Sequence, residues 1–304
     1  MTIMSKKLWR EVWRDNTLYL MMLPAIAFFI IYRYIPMYGI IIAFKKFNFG
    51  MGIINSPWIG LENFQDLFRS PFFSMIMYNT ITISFYKLVL CFPLPIIVAL
   101  MLNQVRNKYF KSSIQTVIYL PYFISWIVVA TVVYVFLSPD SGVISKLWAD
   151  ITGSKLDIMM NPKYFRGLLI FTEAWKETGW GTIIYLASLS SINSELYEAA
   201  DIDGASRLQG IFYITIPSIM PAILTMLILR VGYILNAGFE QIFVMQNAMV
   251  YQVSEILDTY VYKTGFQQGN FGLSTAVGLF KSIVGLTMVV ITNNIAKRFG
   301  EDIL

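Results

Sequence analysis

Long apolar runs, separated by short polar segments, are the feature that most constrains how this chain can fold. Six such runs occur, near residues 17–44, 74–102, 113–137, 164–189, 217–245 and 272–296. Each is longer than the roughly 20 apolar residues that a helix needs to cross the hydrocarbon core of a bilayer. Because lipid offers the backbone no hydrogen bonds, such runs cross it as helices. We therefore predict an all-α membrane protein with six transmembrane helices, folded as a single domain over residues 1–304.

The composition agrees with a membrane location. Only 13% of the 304 residues are charged and 57% are hydrophobic, whereas about a quarter of an ordinary soluble domain is charged. The net charge of +5 comes from basic residues that flank apolar runs, so topology explains it better than nucleic-acid binding does. The first run, with its basic flank, resembles a secretory signal. It is too long for one and has no small-residue cleavage site, so we interpret it as an uncleaved span.

Residues with catalytic or metal-binding chemistry are scarce. Histidine is absent and there is one cysteine, Cys91, inside a predicted span. The sequence therefore predicts neither a catalytic set nor a metal site. No G-x-x-x-x-G-K-[ST] segment occurs, so the chain has no phosphate-binding P-loop. A membrane enzyme is poorly supported, and any ATP hydrolysis must occur on another polypeptide.

Basic clusters and prolines predict the topology in more detail. Residues 6–14, 106–111 and 297–298 are rich in Lys and Arg, and short clusters of this kind stay on the cytoplasmic side. With six spans, both termini (including residues 1–16) and the segment 190–216 are then cytoplasmic. Prolines such as Pro121 and Pro221 lie inside predicted spans, where they kink helices. These kinks serve either packing or gating.

The polar segment between the fourth and fifth predicted spans has a specific pattern. It contains Glu198-Ala199-Ala200-Asp201-Ile202-Asp203-Gly204-Ala205 and ends with I-x-P at Pro217. Ser194 can cap a helix that begins at Glu195, and Gly204 can end it in a left-handed conformation. A second helical segment is expected over residues 205–213. Helices that lie on a membrane favour Lys and Arg, so this acidic segment indicates a protein partner rather than a lipid surface.

This pattern resembles the EAA loop of permease subunits in binding-protein-dependent ABC importers. Three other segments are similar to carbohydrate-uptake permeases: residues 18–44 (L-Y-L-M-M-L-P, then Y-I-P-M-Y-G), residues 56–64 (S-P-W-I-G-L-E-N-F) and residues 119–125 (Y-L-P-Y-F-I-S). The subgroup that they resemble handles oligosaccharides of complex polysaccharides, either pectic (rhamnogalacturonan-type) fragments or alginate.

The resemblance implies a mechanism, partners and a location. Residues 190–216 would form a coupling helix that docks on a cytoplasmic ATPase, through Glu198, Ala199, Ala200, Asp201, Asp203 and Gly204. The chain would pair with a second, homologous permease subunit above a homodimeric ATPase. An extracytoplasmic binding protein would deliver the sugar, and transport would proceed by alternating access. The chain itself would need no cofactor, because ATP and Mg²⁺ belong to the ATPase, and it would lie in a bacterial cytoplasmic (inner) membrane.

Charged and aromatic residues inside the predicted spans are candidates for a substrate path, because a charge at mid-bilayer usually faces a cavity or a partner. The candidates are Lys87, Arg230, Lys281, Tyr86, Tyr233 and Glu240. The three bases have no obvious local partner. They either neutralise carboxylates of uronate-containing sugars or pair across helices with Glu173 or Glu240. Glu173, Lys176 and Glu177 share one helix face and are expected to neutralise one another in part.

These observations predict the transmembrane subunit of an ATP-driven importer that moves oligosaccharides, with acidic sugars as the narrower hypothesis. Two alternatives remain within transport. One is an ABC permease for another solute class, such as amino acids or metal ions. The other is an ion-coupled secondary sugar transporter, for which inverted repeats or paired intramembrane acids would be expected.

Overall fold

The backbone is helical almost throughout residues 16–297, the part of the chain that the computed structural model describes. An isolated β-bridge joins Lys45 and Trp58. The helices, numbered in chain order, are α1 Asn16–Phe44, α2 Gly52–Asn55, α3 Glu62–Arg69, α4 Phe73–Gln104, α5 Lys108–Phe123, α6 Trp126–Leu137, α7 Val143–Thr152, α8 Pro162–Ser190, α9 Glu195–Ile202, α10 Arg207–Gly232, α11 Phe239–Met245, α12 Tyr251–Ser254, α13 Leu257–Tyr262 and α14 Phe271–Lys297. The predicted basic cluster at residues 6–14, and Arg298 in the last cluster, lie outside the described residues.

Within the described residues, four helices (α1, α4, α10 and α14) are long and apolar enough to cross a membrane. The pair α5 and α6 makes a fifth when it is counted as one bent span. Helix α8 has 29 residues, which is about 43 Å and ample for a bilayer. It differs from the others because Glu173, Lys176 and Glu177 interrupt its apolar sequence. The all-helical prediction is confirmed, and the count of six spans stays a prediction.

Two predicted spans are not continuous helices. The third was expected as one helix over residues 113–137, but α5 and α6 meet at an angle of 101°. Pro121 and the Ser125 cap explain the break, because Ser125 Oγ accepts a hydrogen bond from Val128 N and starts a new helix there. The fifth was expected over residues 217–245. Its helix already begins at Arg207 and ends at Gly232, and a 3₁₀ turn at Ile234–Asn236, followed by two residues with positive φ, separates it from α11.

Two compact units divide the chain, and the smaller one comprises residues 16–68 and 264–279 of the described chain. Aromatic rings contact one another in this unit, where those of Phe44 and Trp58 stack with centroids 5.7 Å apart. Asn63, which is buried, donates from Nδ2 to the carbonyl of Ala43 at 2.8 Å. The side chain of Lys45 donates to the carbonyl of Ile54 at the end of α2. These bonds satisfy backbone groups that a loop would otherwise leave unpaired.

The larger unit comprises residues 69–263 and 280–297 of the described chain, and α8 lies at its centre. Asn161 caps α8 by accepting from Lys163 N, and Pro162 occupies the first turn, as is usual at helix starts. Along its length α8 packs against α4, α5, α10 and α12. One apolar cluster, which includes Ile83, Phe165, Leu169 and Ile242, fills one end. A second cluster, of Ala99, Tyr185, Leu189 and Ile219, fills the other.

Candidate functional site

A cluster of charged side chains lies in the larger unit, where α4, α8 and α10 meet the turn between α10 and α11. Lys87 begins a π-helical turn, residues Lys87–Cys91, in the middle of α4. Such turns recur at functional positions because they change the direction in which a side chain points. Glu173 lies near the middle of α8, and Arg230 lies in the last turn of α10.

Glu173 forms ion pairs with two bases at once. Its Oε2 accepts from Lys87 Nζ at 3.1 Å, and its Oε1 accepts from an Arg230 guanidinium nitrogen at 2.7 Å. The side chains of Lys87 and Glu173 are 3% and 7% exposed, whereas that of Arg230 is 41% exposed. The lysine and the carboxylate therefore form a buried pair, and the arginine closes the cluster on its open side.

The turn between α10 and α11 holds Lys87 in place. The Lys87 ammonium also donates to the carbonyl of Ala237 at 3.0 Å and to Gln241 Oε1 at 2.5 Å. Ala237 has φ +46° and Gly238 has φ +86°, conformations that cost an alanine about 1 kcal/mol or more but are free for glycine. A Cβ at Gly238 would overlap the Lys87 ammonium. The break in the predicted fifth span thus supplies a carbonyl and an open space for the lysine.

Gln241 connects this cluster to α8. Its amide nitrogen donates to the carbonyl of Leu169 at 2.6 Å and to Thr172 Oγ1 at 2.7 Å, while its amide oxygen accepts from Lys87. Both amide hydrogens and one lone pair of this fully buried side chain are directed at the cluster and its support. The position of Lys87 is therefore fixed from three sides.

A cavity of about 410 Å³ opens beside these charges. Lys87, Glu173 and Arg230 form its charged wall, and Tyr233 and Asn236 lie around it. Ser84 also lines it, and its hydroxyl is buried without a hydrogen-bond partner among the described residues. Buried polar atoms are normally paired, so this hydroxyl is an exception among the groups around the cavity. The volume is in the range of small-molecule sites.

A second cavity, of about 190 Å³, lies on the other side of Arg230. It is lined by Glu177, Trp180 and Gly181 of α8, among others. Arg230, Glu173 and Met226 line both cavities. The ion pair between Arg230 and Glu173 therefore stands between the two spaces.

The cluster has one more cation than it has acids. Lys87 and Arg230 share the single carboxylate of Glu173. The other ion pairs that α8 and α14 form within the described chain match one base with one acid: Lys176 with Glu177, and Lys281 with Asp258. The uncompensated charge is best assigned to Arg230, because it is the partly exposed member and faces both cavities.

Lys176 occupies the bend between α5 and α6. Its ammonium donates to the carbonyl of Tyr122 at 2.8 Å, and it lies 5.1 Å and 5.3 Å from the ring centroids of Tyr122 and Trp126. The predicted neutralisation of Lys176 by Glu177 is present at 3.7 Å. Glu173, which was expected to join them, pairs across helices instead. The ring of Tyr122 also stacks on that of Trp180 in α8, with centroids 4.9 Å apart.

The six predicted path residues separate into two groups. Lys87, Arg230 and Tyr233 line the larger cavity. Tyr86, although next to Lys87, is exposed and packs against Phe85. Glu240 is exposed and has no ion-pair partner among residues 16–297.

Lys281 belongs to the second group, because it pairs with Asp258 of α13, away from Glu173. The three bases thus have partners after all, all of them distant in sequence. Ser84, Asn236 and Gln241 were missed. Their signal is a hydrogen-bonding side chain inside an otherwise apolar run.

The acidic segment between α8 and α10 forms a separate surface. Helix α9 begins at Glu195 as predicted and extends to Ile202, and Gly204 follows with φ +75°. Ser194 stands at the cap position, but its side chain makes no capping bond. Asn193 performs that function, because its Oδ1 accepts from Glu195 N at 3.0 Å.

The second helical segment begins at Arg207 rather than at residue 205, because Ser206 and Gln209 form a capping box there. Of the six predicted contact residues, Ala200 is half-buried and the other five are exposed: Glu198, Ala199, Asp201, Asp203 and Gly204.

A hydrogen bond fastens α9 to α10. The hydroxyls of Tyr197 and Thr215 lie 2.9 Å apart, and Thr215 is buried. Thr215 also donates to the carbonyl of Gly210 at 3.2 Å, in the π-helical stretch at the start of α10. The acidic helix is therefore held against the base of the helix that carries Arg230.

Comparison with known proteins identifies the class of this chain. Residues 92–301 match the family model for the binding-protein-dependent transport system inner membrane component. The chain is 44% identical over 289 residues to Protein LplB of Bacillus subtilis (strain 168), covering 95% of this chain and 91% of LplB. It is 43% identical over 297 residues to the polygalacturonan/rhamnogalacturonan transport system permease protein YteP of the same organism, covering 98% of this chain and 92% of YteP.

Solved structures agree. A chain in the crystal structure of a bacterial ABC transporter involved in the import of the acidic polysaccharide alginate is 40% identical, with a TM-score of 0.88 over 96% of this chain and 99% of that one. A chain of a bacterial alginate ABC transporter in complex with an alginate pentasaccharide-bound periplasmic protein is 38% identical, with a TM-score of 0.88 over 96% and 98%. The prediction of a transport permease is confirmed. This chain belongs to the family of inner membrane components of binding-protein-dependent transport systems.

Proposed function

We propose that this chain is the transmembrane subunit of an ABC importer for acidic, uronate-containing oligosaccharides. The observation that carries the proposal is the surplus cation at the cavity: two bases share one carboxylate, and the partly exposed Arg230 faces the open space. A charge in a membrane-spanning region is expensive unless it is paired. A carboxylate on the passing sugar would supply the missing partner, and a guanidinium binds carboxylates in a favourable fork geometry.

The remaining wall of the cavity suits a sugar. The amide of Asn236 can exchange hydrogen bonds with sugar hydroxyls, and the exposed ring of Tyr233 offers a face for stacking. Relatives support the same substrate class. YteP is described as a polygalacturonan/rhamnogalacturonan permease, and the structural neighbour imports alginate. Both sugars are rich in carboxylates.

The proposed topology has six spans with both termini in the cytoplasm. Helix α8 is the fourth span, and its charged residues are tolerated because Glu173 pairs with α4 and α10 while Lys176 pairs with Glu177 and bonds to α5. The bent pair α5 and α6 is the third, with the carbonyl at the break satisfied by Lys176. The basic residues 106–111 and Lys297 are then on the cytoplasmic side, together with α9.

Helix α9 is proposed to dock on a cytoplasmic ATPase. Glu198, Asp201 and Asp203 are exposed and have no ion-pair partner within the described part of the chain, so they are available to basic groups of a partner. Ile202 and Leu208 are also largely exposed there, and exposed apolar residues within a polar rim are typical of protein interfaces. A second permease, a homodimeric ATPase that holds ATP and Mg²⁺, and an extracytoplasmic binding protein complete the proposed importer.

The test is sugar-stimulated ATP hydrolysis by the complete importer in nanodiscs. We expect uronate-containing oligosaccharides loaded on the binding protein to stimulate the wild type. With Arg230→Gln, the stimulated rate should fall by about tenfold or more, because one charge-assisted hydrogen bond is worth about 1.5–3 kcal/mol. Arg106→Gln, the same change at an exposed loop residue, should keep it. Full stimulation of Arg230→Gln would exclude Arg230 as the anion site, and stimulation by neutral sugars alone would exclude the acidic class.

A further inference from the structure

Arg230 already has a partner when no sugar occupies the cavity, because its guanidinium is bound to Glu173 Oε1 at 2.7 Å. A sugar carboxylate must therefore displace the carboxylate of Glu173 from the guanidinium before it can bind there. Each oxygen of Glu173 serves a different base, Oε1 facing Arg230 and Oε2 facing Lys87. The contact with Arg230 can thus be lost without disturbing the contact with Lys87.

We propose that Glu173 is a specificity-determining residue, which holds Arg230 until a sugar carboxylate replaces it in a one-for-one exchange. This inference rests on the proposed function, since it assumes that the permease handles acidic sugars. Glu173 acts as an internal substitute for the substrate anion. Any sugar that is to bind Arg230 must first break the ion pair between Arg230 and Glu173. Only a sugar with its own carboxylate replaces that ion pair with an equivalent one.

Lys87 lowers the free-energy cost of this exchange inside the membrane. When Arg230 leaves, Glu173 keeps one cation at 3.1 Å, so no buried carboxylate is left unpaired. Lys87 cannot follow the arginine, because Ala237 and Gln241 hold its ammonium from the other side. An unpaired buried charge is costly, whereas a buried pair with further hydrogen bonds is tolerated. Two cations are therefore needed, one to stay with Glu173 and one to move.

A neutral sugar cannot complete the exchange. Its hydroxyls form neutral hydrogen bonds, which are roughly half as strong as charge-assisted ones. Moving Arg230 toward them would break an ion pair and gain less than it loses. A sugar carboxylate replaces like with like, so the free energy of the guanidinium is nearly unchanged while the remaining sugar contacts are added. Neutral sugars are thus excluded because the Glu173 carboxylate competes with them for Arg230, and not because the cavity lacks a contact for them.

Displacement of Arg230 from Glu173 also affects the passage between the two cavities. Arg230 and Glu173 line both the 410 Å³ and the 190 Å³ cavity, so their ion pair stands between the two spaces. Exchange of partners turns the guanidinium away from α8 and removes this partition. Recognition of a carboxylate and opening of the path are then the same event.

Direct binding to the complex of both permeases and the ATPase in nanodiscs tests the exchange, with the binding protein left out so that its own selectivity does not enter. Labelled uronate oligosaccharides and neutral oligosaccharides of equal length are titrated by fluorescence anisotropy. For Glu173→Gln we expect the Kd for the acidic sugar to fall by about tenfold, which corresponds to one charge-assisted contact released from competition. Binding of neutral sugars, which we expect to be undetectable in the wild type, should also become detectable.

A second variant covers loss of folding. Lys87→Met with Glu173→Gln removes both charges of the buried pair together, so that neither is left unpaired, and it should show the same gain. Lys155→Gln with Asp140→Asn, which removes an exposed ion pair, should leave both values unchanged. If the assembled variants keep the wild-type Kd for the acidic sugar and still reject neutral sugars, Glu173 does not compete. A wild type that binds both sugars equally would overturn the proposed function itself, and the exchange with it.

Discussion

Replacing Lys176 by methionine should weaken the bend between α5 and α6. The ammonium satisfies the carbonyl of Tyr122 at the break, 2.8 Å away, and lies over the rings of Tyr122 and Trp126. Methionine keeps most of the apolar stem, so the change removes chiefly these polar contacts. An acceptor left unsatisfied in the interior costs about 1–3 kcal/mol, and each cation–π contact adds about 0.5–1 kcal/mol.

Relief from burying the ammonium offsets part of that loss, because a charge removed from water carries a desolvation cost. We therefore expect a net destabilisation of about 2 kcal/mol. In a protein of this size that lowers Tm by about 3 °C. The measurement is thermal unfolding of the purified complex followed by tryptophan fluorescence, to which Trp126 at the start of α6 and Trp180, which stacks on Tyr122, both contribute.

Glu177→Gln is the matched control for this experiment. Glu177 is the ion-pair partner of Lys176, at 3.7 Å, and its side chain is 35% exposed. Lys176, although buried, keeps its bond to the Tyr122 carbonyl in this variant, and a partly exposed carboxylate contributes less than about 1 kcal/mol, so Tm should change little. A Tm for Lys176→Met equal to that of the wild type would show that Lys176 does not stabilise the bend. An equal loss in Glu177→Gln would show that the ion pair, and not the bond to the backbone, is what matters.

Two further predictions concern packing and coupling. Gly179→Ala should destabilise the protein by about 1–3 kcal/mol, because the new methyl would overlap a backbone carbonyl of α5. Gly167→Ala on the same helix, with open space around it, is the control and should be neutral or slightly stabilising in the same unfolding assay. Tyr197→Phe removes the hydroxyl bound to Thr215 and should raise the ATP hydrolysed per sugar imported in proteoliposomes, while Tyr213→Phe, at an exposed position, should not. An unchanged ratio in Tyr197→Phe would separate that bond from coupling.

Helical content and the acidic helix were predictable because both depend on local sequence. Apolar runs require helices in lipid, and a capping residue, a first turn of acids and a glycine delimit α9. Even there the cap moved by one residue, from Ser194 to Asn193. Neighbouring cap formers compete on small differences in backbone geometry, which sequence alone does not resolve.

The charge cluster was only partly predictable. Lys87 and Arg230 could be selected as costly charges in apolar runs, but their shared partner is 86 and 57 residues away in sequence. Contacts of that separation depend on how helices pack, and periodicity within one helix does not determine them. The same holds for the turn at Ala237 and Gly238, because the apolar sequence of residues 217–245 continues through it. Its left-handed residues are stabilised by Lys87, from another helix.

Helix α10 connects the segment next to the acidic helix with the charge cluster at the cavity. It runs unbroken for 26 residues, about 39 Å, from the Ser206 capping box to the turn that carries Arg230. A rod of that length converts a tilt of about five degrees at its base into a displacement of about 3 Å at its tip. The tip is joined to Glu173 by a bond of 2.7 Å. In the proposed importer, a small displacement at the base of this helix would separate the Arg230 and Glu173 side chains, so motion of a docked ATPase would reach the cavity without any large rearrangement of the fold.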